Sequence, residues 1–186
     1  MFPRHAPGRG VTFAECAVYA QTRKHTGMEV SLTYESPGNP TSYSAHFAEV
    51  EVDRITGRVR VLDYVAVHDI GQAINLGFVQ GQIQGSIQMG MGMALSEELA
   101  IDASGQVLNG RLSRYTVANA PEMPPIRVAL IEAGEAMGPF GAKSIGEIAT
   151  APVAPAIINA VNHALGTRIT TLPALPERIV AALKEL

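Results

Sequence analysis

The sequence predicts an α+β fold: antiparallel strand hairpins packed with a long glycine-rich helix and two C-terminal helices. Three patterns carry this expectation. Two segments alternate in polarity around a short turn, one long segment repeats apolar residues at helical spacing, and two late segments are framed by proline and glycine. In the first strand, Ser44 to Val52, the residues Ala48, Val50 and Val52 share one face while Glu49 and Glu51 share the other. In the second, Arg58 to Val67, the residues Val59, Val61, Val65 and Val67 repeat the pattern. The joining Asp53-Arg54-Ile55-Thr56-Gly57 suits a tight connection, because Asp caps its own backbone and Gly accepts positive φ.

Asp69-Ile70-Gly71-Gln72 turns the chain out of the second strand. From Phe78 to about Leu99 the residues Val79, Ile83, Ile87, Met91 and Leu95 then recur at helical spacing. Gly81, Gly85, Gly90 and Gly92 lie inside that helix, each costing on the order of 1 kcal/mol relative to alanine. Their presence implies that something packs against the helix backbone. A second hairpin-like turn at Asp102-Ala103-Ser104-Gly105 precedes weaker strand signal up to Val117, and Ile126 to Glu132 alternates as a strand. Met137 to Gly146 is a glycine-rich loop. Pro152, Pro155 and Gly166 frame a helix near 152–165, and Pro176 opens a last helix running to Leu186. Residues 1–40 carry weak signals: Val11 to Thr22 fits a strand or a short helix, and Ser36-Pro37-Gly38-Asn39-Pro40 is a turn cluster.

The 186 residues suffice for one domain or two small ones. A net charge of −3, from 14 basic and 17 acidic residues scattered along the chain, argues against nucleic acid and anionic membranes as partners. Cys16 is the single cysteine, which excludes an internal disulfide and any multi-cysteine metal cage within the chain; it reads as a buried small hydrophobe. No run of 18 apolar residues occurs, and Met1 to Gly10 carries arginines with no apolar core behind them. A soluble, cytoplasmic protein is expected. Charged residues make up 17% of the chain, fewer than a free monomer usually shows, which points to burial against a partner.

Two segments have chemical potential. In Gly77-Phe78-Val79-Gln80-Gly81-Gln82-Ile83-Gln84-Gly85, a helix start built of glycines and carboxamides offers N–H groups, a positive dipole end and amide edges to a polar ligand. The same small residues would equally let another element cross closely. In Gly138-Pro139-Phe140-Gly141-Ala142-Lys143-Ser144-Ile145-Gly146-Glu147, the loop ends in a carboxylate flanked by Ile145 and Ile148, whose apolar setting would raise its pKa and suit a general base. A carboxylate that merely complements a helix dipole fits the same pattern. Lys143 reads as a solvated loop lysine or a phosphate contact, Asp69 as a turn residue, Glu97 and Glu98 as a solvated face, and Met89, Met91 and Met93 as core filler. His5, His25, His46 and His163 lack metal-ligand spacing, and no metal ligand is assigned.

The order of Phe47-Ala48-Glu49-Val50-Glu51-Val52-Asp53, His68-Asp69-Ile70-Gly71 with Ile74-Asn75, Gly81-Gln82-Ile83-Gln84-Gly85, and Gly141-Ala142-Lys143-Ser144-Ile145-Gly146-Glu147 resembles the xanthine dehydrogenase and aldehyde oxidase family. The likeness is to the C-terminal part of the molybdopterin-binding domain in the molybdenum-binding subunit, and it runs from about Gly10 to Leu186. Leu76, Gln84 and Ser144 depart mildly from the usual pattern. The resemblance implies a molybdenum–molybdopterin cofactor, in plain or cytosine dinucleotide form. It implies Glu147 as catalytic base, with Gln82, Gly81, Gly85, Lys143, Ser144 and Gly146 toward the cofactor. It further implies a molybdenum hydroxylase that oxidises a purine-like N-heterocycle or an aldehyde with water as oxygen source. Partners would be the rest of the molybdenum subunit and iron–sulfur and flavin (FAD) subunits. The alternative is a non-catalytic cofactor-binding or assembly module that docks on such subunits.

Overall fold

The computed structural model describes residues 10–184 and divides into two units, up to Ser36 and from Pro37 onward. Expectations for Met1 to Arg9, including His5, and for the last two residues fall outside the described residues.

The first unit carries helix α1 (Phe13–Arg23). Thr12 and Glu15 close a reciprocal capping box that satisfies two of the helix's free N–H groups, so the helical alternative prevails for this segment. No residue of α1 is buried, and Cys16 is half-exposed rather than a core residue.

The second unit is α+β. Strands β1 (Tyr43–Val52) and β2 (Val59–Asp69) form the expected antiparallel hairpin. At its turn the Asp53 carboxylate accepts the N–H groups of Ile55 and Thr56 at 2.8 and 3.1 Å. Gly57 takes φ +73°, and a Cβ there would stand 2.1 Å from the Pro176 carbonyl oxygen, so glycine answers both conformation and contact.

One feature of the hairpin departs from simple alternation. The register slips between Glu49 and Val50, with Glu49 opposite Asp63 and Val50 opposite Val61, which leaves Leu62 unpaired as a bulge. Beyond it the phase of β2 inverts. Tyr64, Ala66 and His68 are therefore buried, while Val65 and Val67, expected to share a face with Val59 and Val61, lie on the other side.

Helix α2 (Leu76–Leu95) begins at Asn75, whose side chain accepts the Phe78 N–H, and ends at Ser96, somewhat before Leu99. The second hairpin reduces to an isolated bridge between Ile101 and Val107, because the residues that follow, through Arg111 and Arg114, do not alternate in polarity. Strand β3 (Ile126–Ile131) pairs with β2 in parallel, completing a mixed sheet in the order β1-β2-β3. Its direction follows from the connection: α2 carries the chain back along the sheet before β3 begins.

A four-residue helix α3 (Glu147–Thr150) leads into α4 (Val153–Leu165), which Gly166 closes at φ +71°. Helix α5 (Pro176–Lys184) follows. The apolar stretch Glu147–Leu165 meets the length and composition of a membrane span. It is, however, two helices, and Val153, Ile157, Ile158, Val161 and Leu165 are core residues. Helix α4 packs on β1 and is covered by α2. Val61, Tyr64, Ile83, Ile87, Met91, Ile157 and Ile179 join it in one apolar cluster.

Candidate functional site

Two segments far apart in sequence meet at one end of the sheet. The start of α2 brings Asn75, Phe78, Val79 and Gln82, and the loop before α3 brings Ala142, Lys143, Ile145 and Gly146; with Ile70 and Gln72 they line an open cavity of about 480 Å³. Each side is held in place by identifiable bonds. Asn75 fixes where α2 begins, and Glu132 accepts from the Ala73 N–H at 2.8 Å and the Gln72 side chain at 3.0 Å. On the loop side, the Lys143 N–H donates to the Ile70 carbonyl at 2.8 Å.

Gln82 is exposed in the cavity wall, and its carboxamide makes no hydrogen bond to the described residues. Gly81 and Gly85 are exposed beside it, and a Cβ at either would meet nothing within 4 Å. The packing partner expected against these two glycines is therefore not in the described residues. Gly90 and Gly92 behave as expected: a Cβ on Gly90 would lie 2.4 Å from Val153 Cβ, and one on Gly92 2.0 Å from the Glu97 carboxylate.

On the loop, Gly146 lines the cavity and precedes Glu147, the first residue of α3. The apolar enclosure expected for Glu147 is not formed: Ile145 and Ile148 are half-buried while Glu147 is exposed. Ile145 packs partly against the core and also lines the cavity, and it does not cover the Glu147 carboxylate. Ser144 is exposed, and its carbonyl accepts from Ser42 Oγ at 3.2 Å.

Lys143 is neither solvated nor free. Its amine lies 2.7 Å from the Asp69 carboxylate and 3.1 Å from the Thr41 carbonyl, with the Lys143 and Asp69 side chains 11% and 17% exposed. The charge-assisted bond from Lys143, seconded by the Gly71 N–H, holds the Asp69 carboxyl below its ordinary range, and the same bond raises Lys143. Asp69 thus keeps its turn role and gains an ionic one.

Several other expectations resolve differently. Glu97 accepts from the Tyr115 hydroxyl and Glu98 pairs with Arg178 of α5, so both tie neighbouring segments together rather than forming a solvated face. Of the three methionines Met91 is core, whereas Met89 and Met93 are about half exposed. His68 is fully buried on the sheet and meets His46 Nε2 at 2.8 Å, while His46 Nδ1 meets the Tyr64 hydroxyl at 2.9 Å. The fewest polar groups are stranded if Tyr64 donates to His46 and His46 donates to His68, which leaves an N–H at His68 Nδ1 unpaired among the described residues. Burial, with His68 adding to it, lowers His46 to about 4, and burial lowers His68 and raises Tyr64. No cluster of three or more His, Cys, Asp or Glu suited to a metal occurs among the described residues.

Gln82, Lys143 and Gly146, all candidates from the sequence, share the cavity. Asn75, Phe78 and Gln72 as lining residues, and Asp69 as the partner of Lys143, emerge only from the structure. The Ile74-Asn75 pair is the available signal for the first of these, since an N-cap residue borders the helix start that it caps.

A family model described as molybdopterin cofactor-binding domain matches residues 2–124. The chain is 39% identical over 142 residues to the xanthine dehydrogenase molybdenum-binding subunit of Escherichia coli O157:H7, covering 76% of this chain and 19% of that one. It is 33% identical over 148 residues to the aldehyde oxidoreductase molybdenum-binding subunit PaoC of the same organism, covering 78% of this chain and 20% of the relative. Among solved structures, quinoline 2-oxidoreductase from Pseudomonas putida 86 superposes with a TM-score of 0.72 at 37% identity, over 75% of this chain and 18% of that one. The chain therefore spans about a fifth of the length of these relatives. With the matching family model and a shared fold around the glycine-rich helix, the chain belongs to the molybdopterin cofactor-binding domain family, in its xanthine dehydrogenase and aldehyde oxidoreductase branch.

Proposed function

We propose that this chain is the C-terminal part of the molybdenum-binding subunit of a molybdenum hydroxylase, with Glu147 as general base. The observation that carries the reading is the shared cavity: Gln82 and Gly146 line it, and Glu147 follows Gly146 directly. The residues present suit a pterin cofactor. Open backbone at Gly81, Gly85 and Gly146 admits a large planar group, and the uncommitted Gln82 carboxamide matches an amide edge with one donor and one acceptor.

When bound, the molybdenum–pterin group, with or without a cytosine nucleotide, supplies the oxidation with water as the oxygen source. This chain's residues orient and take up protons. Gln82 fixes the pterin edge, the glycines allow close approach of backbone, and the Glu147 carboxylate accepts the proton released as oxygen is transferred. Glu147 is exposed in this chain, so enclosure of its carboxylate comes from the remainder of the subunit. The substrate class is a purine-like N-heterocycle or an aldehyde. The wider assembly contains the rest of the molybdenum subunit together with iron–sulfur and flavin subunits.

Glu147→Gln in the reconstituted complex tests the reading. The expected result is a kcat lower by about 10²-fold or more, with molybdenum content per complex unchanged. Full activity in that variant would remove Glu147 from catalysis and leave this chain as a cofactor-binding or assembly module.

A further inference from the structure

The loop that ends in Glu147 is tied to the sheet by bonds concentrated at one point. The Lys143 amine reaches both the Asp69 carboxylate at 2.7 Å and the Thr41 carbonyl at 3.1 Å, and the Lys143 N–H reaches the Ile70 carbonyl at 2.8 Å. Gly71 makes room for this junction, since a Cβ there would stand 2.3 Å from the Gly141 carbonyl oxygen. Its own carbonyl accepts from the Gly134 N–H at 2.9 Å. Ser42 Oγ and Ser44 Oγ add weaker ties to the carbonyls of Ser144 and Ile148. Asp69 and Lys143 are therefore the charged centre of a set of contacts between the end of β2, the start of β1 and the loop.

We propose that Asp69 and Lys143 are positioning residues: their ion pair is a clasp that sets the Glu147-bearing loop against the Gln82 end of α2, and Lys143 acts through Asp69 rather than as a cofactor contact. The clasp itself is independent of the assigned chemistry, whereas its consequence for turnover rests on the reading of Glu147 as base. The physical reason is that the pair is largely removed from solvent. A lysine whose side chain is 11% exposed, with two of its amine's three donors already engaged, has little left to offer a phosphate, and breaking one partner leaves the other charge without its ionic partner.

The two roles separate experimentally. Asp69→Asn, Lys143→Met and the double variant of the 186-residue chain are compared by amide hydrogen exchange, with amides around Val50 and Val61 in the β1–β2 ladder as the internal record of folding. The clasp predicts that either single variant accelerates exchange at the Lys143 amide by about tenfold, that the double variant is no faster than either single, and that the ladder is unchanged. Unchanged loop exchange in the double variant, or acceleration by Lys143→Met but not by Asp69→Asn, overturns the proposal. Should a single variant fail to fold, the double variant, which strands no charge, decides by the same criterion.

In the complete enzyme, Asp69→Asn is expected to lower kcat by about tenfold with KM within about twofold and cofactor content unchanged. Loss of cofactor in Lys143→Met with full retention in Asp69→Asn would make Lys143 a direct contact and overturn the proposal. If Glu147→Gln is fully active, the exchange result still stands or falls on its own.

Discussion

The two halves of α2 contain glycine at similar density and for opposite reasons. From Leu76 to Gln82 no residue is buried, Phe78 is 80% exposed, and a Cβ on Gly81 would meet nothing. From Ile83 onward one face closes, so that Ile83, Ser86, Ile87, Gly90, Met91 and Ala94 are all buried, and Gly90 lies where Val153 of α4 comes closest. At Gly90, in the second half, glycine lets two helices approach; at Gly81, and again at Gly85 on the exposed face, it leaves backbone open. Glycine in a helix therefore identifies a close approach without saying what approaches, and only the packed half finds its partner within the described residues.

Truncation should separate the halves most sharply. Ile87→Ala removes a fully buried side chain and is expected to lower unfolding free energy by about 3 kcal/mol, whereas Phe78→Ala should change it by less than about 0.5 kcal/mol. Urea titrations of the two variants check the contrast, and equal losses would mean that the open half is also structural core.

Acid should act on the packed side next. His46 titrates near 4 in the folded chain and near 6.5 when unfolded, so between these values the unfolded state binds more protons. The stabilisation is complete above about pH 6.5 and is lost as pH falls toward 4. Because His46 is only half-buried, solvent screening limits the loss to roughly 2 kcal/mol. Thermal melts across this range, with His46→Gln as control, should show a slope that the variant flattens.

The smallest effect has the most informative sign. Gly90→Ala places a methyl group against Val153 and should destabilise by about 1 kcal/mol after the helix-propensity gain is subtracted. Gly81→Ala meets open space and should stabilise by up to about 1 kcal/mol, while lowering cofactor retention in the assembled enzyme. Equal signs in the two melts would erase the distinction between the halves.

Much of the local structure was legible because its causes are local. Asp53 and Gly57 specify the hairpin turn, Gly166 the end of α4 and Pro176 the start of α5, each through a backbone preference confined to a few residues. The bulge at Leu62 was not, since valines recur at every second position on both sides of Leu62-Asp63 and do not record the point at which pairing slips. The direction of β3 was not either, because alternation is the same in a parallel and an antiparallel strand. For the candidate site, Gln82 and Gly146 were visible as unusual residues, but the company of Asp69 with Lys143 across more than seventy positions was not.

The sequence by itself determined the β1–β2 turn, the frames of α4 and α5 and the family, since these depend on short-range chemistry and on motif order. Tertiary structure alone decided which glycines are crowded, which valines face the core and where the Lys143 charge is neutralised. Those depend on what lies across space from each residue, and packing at close range makes a shift of one residue in register enough to change the answer.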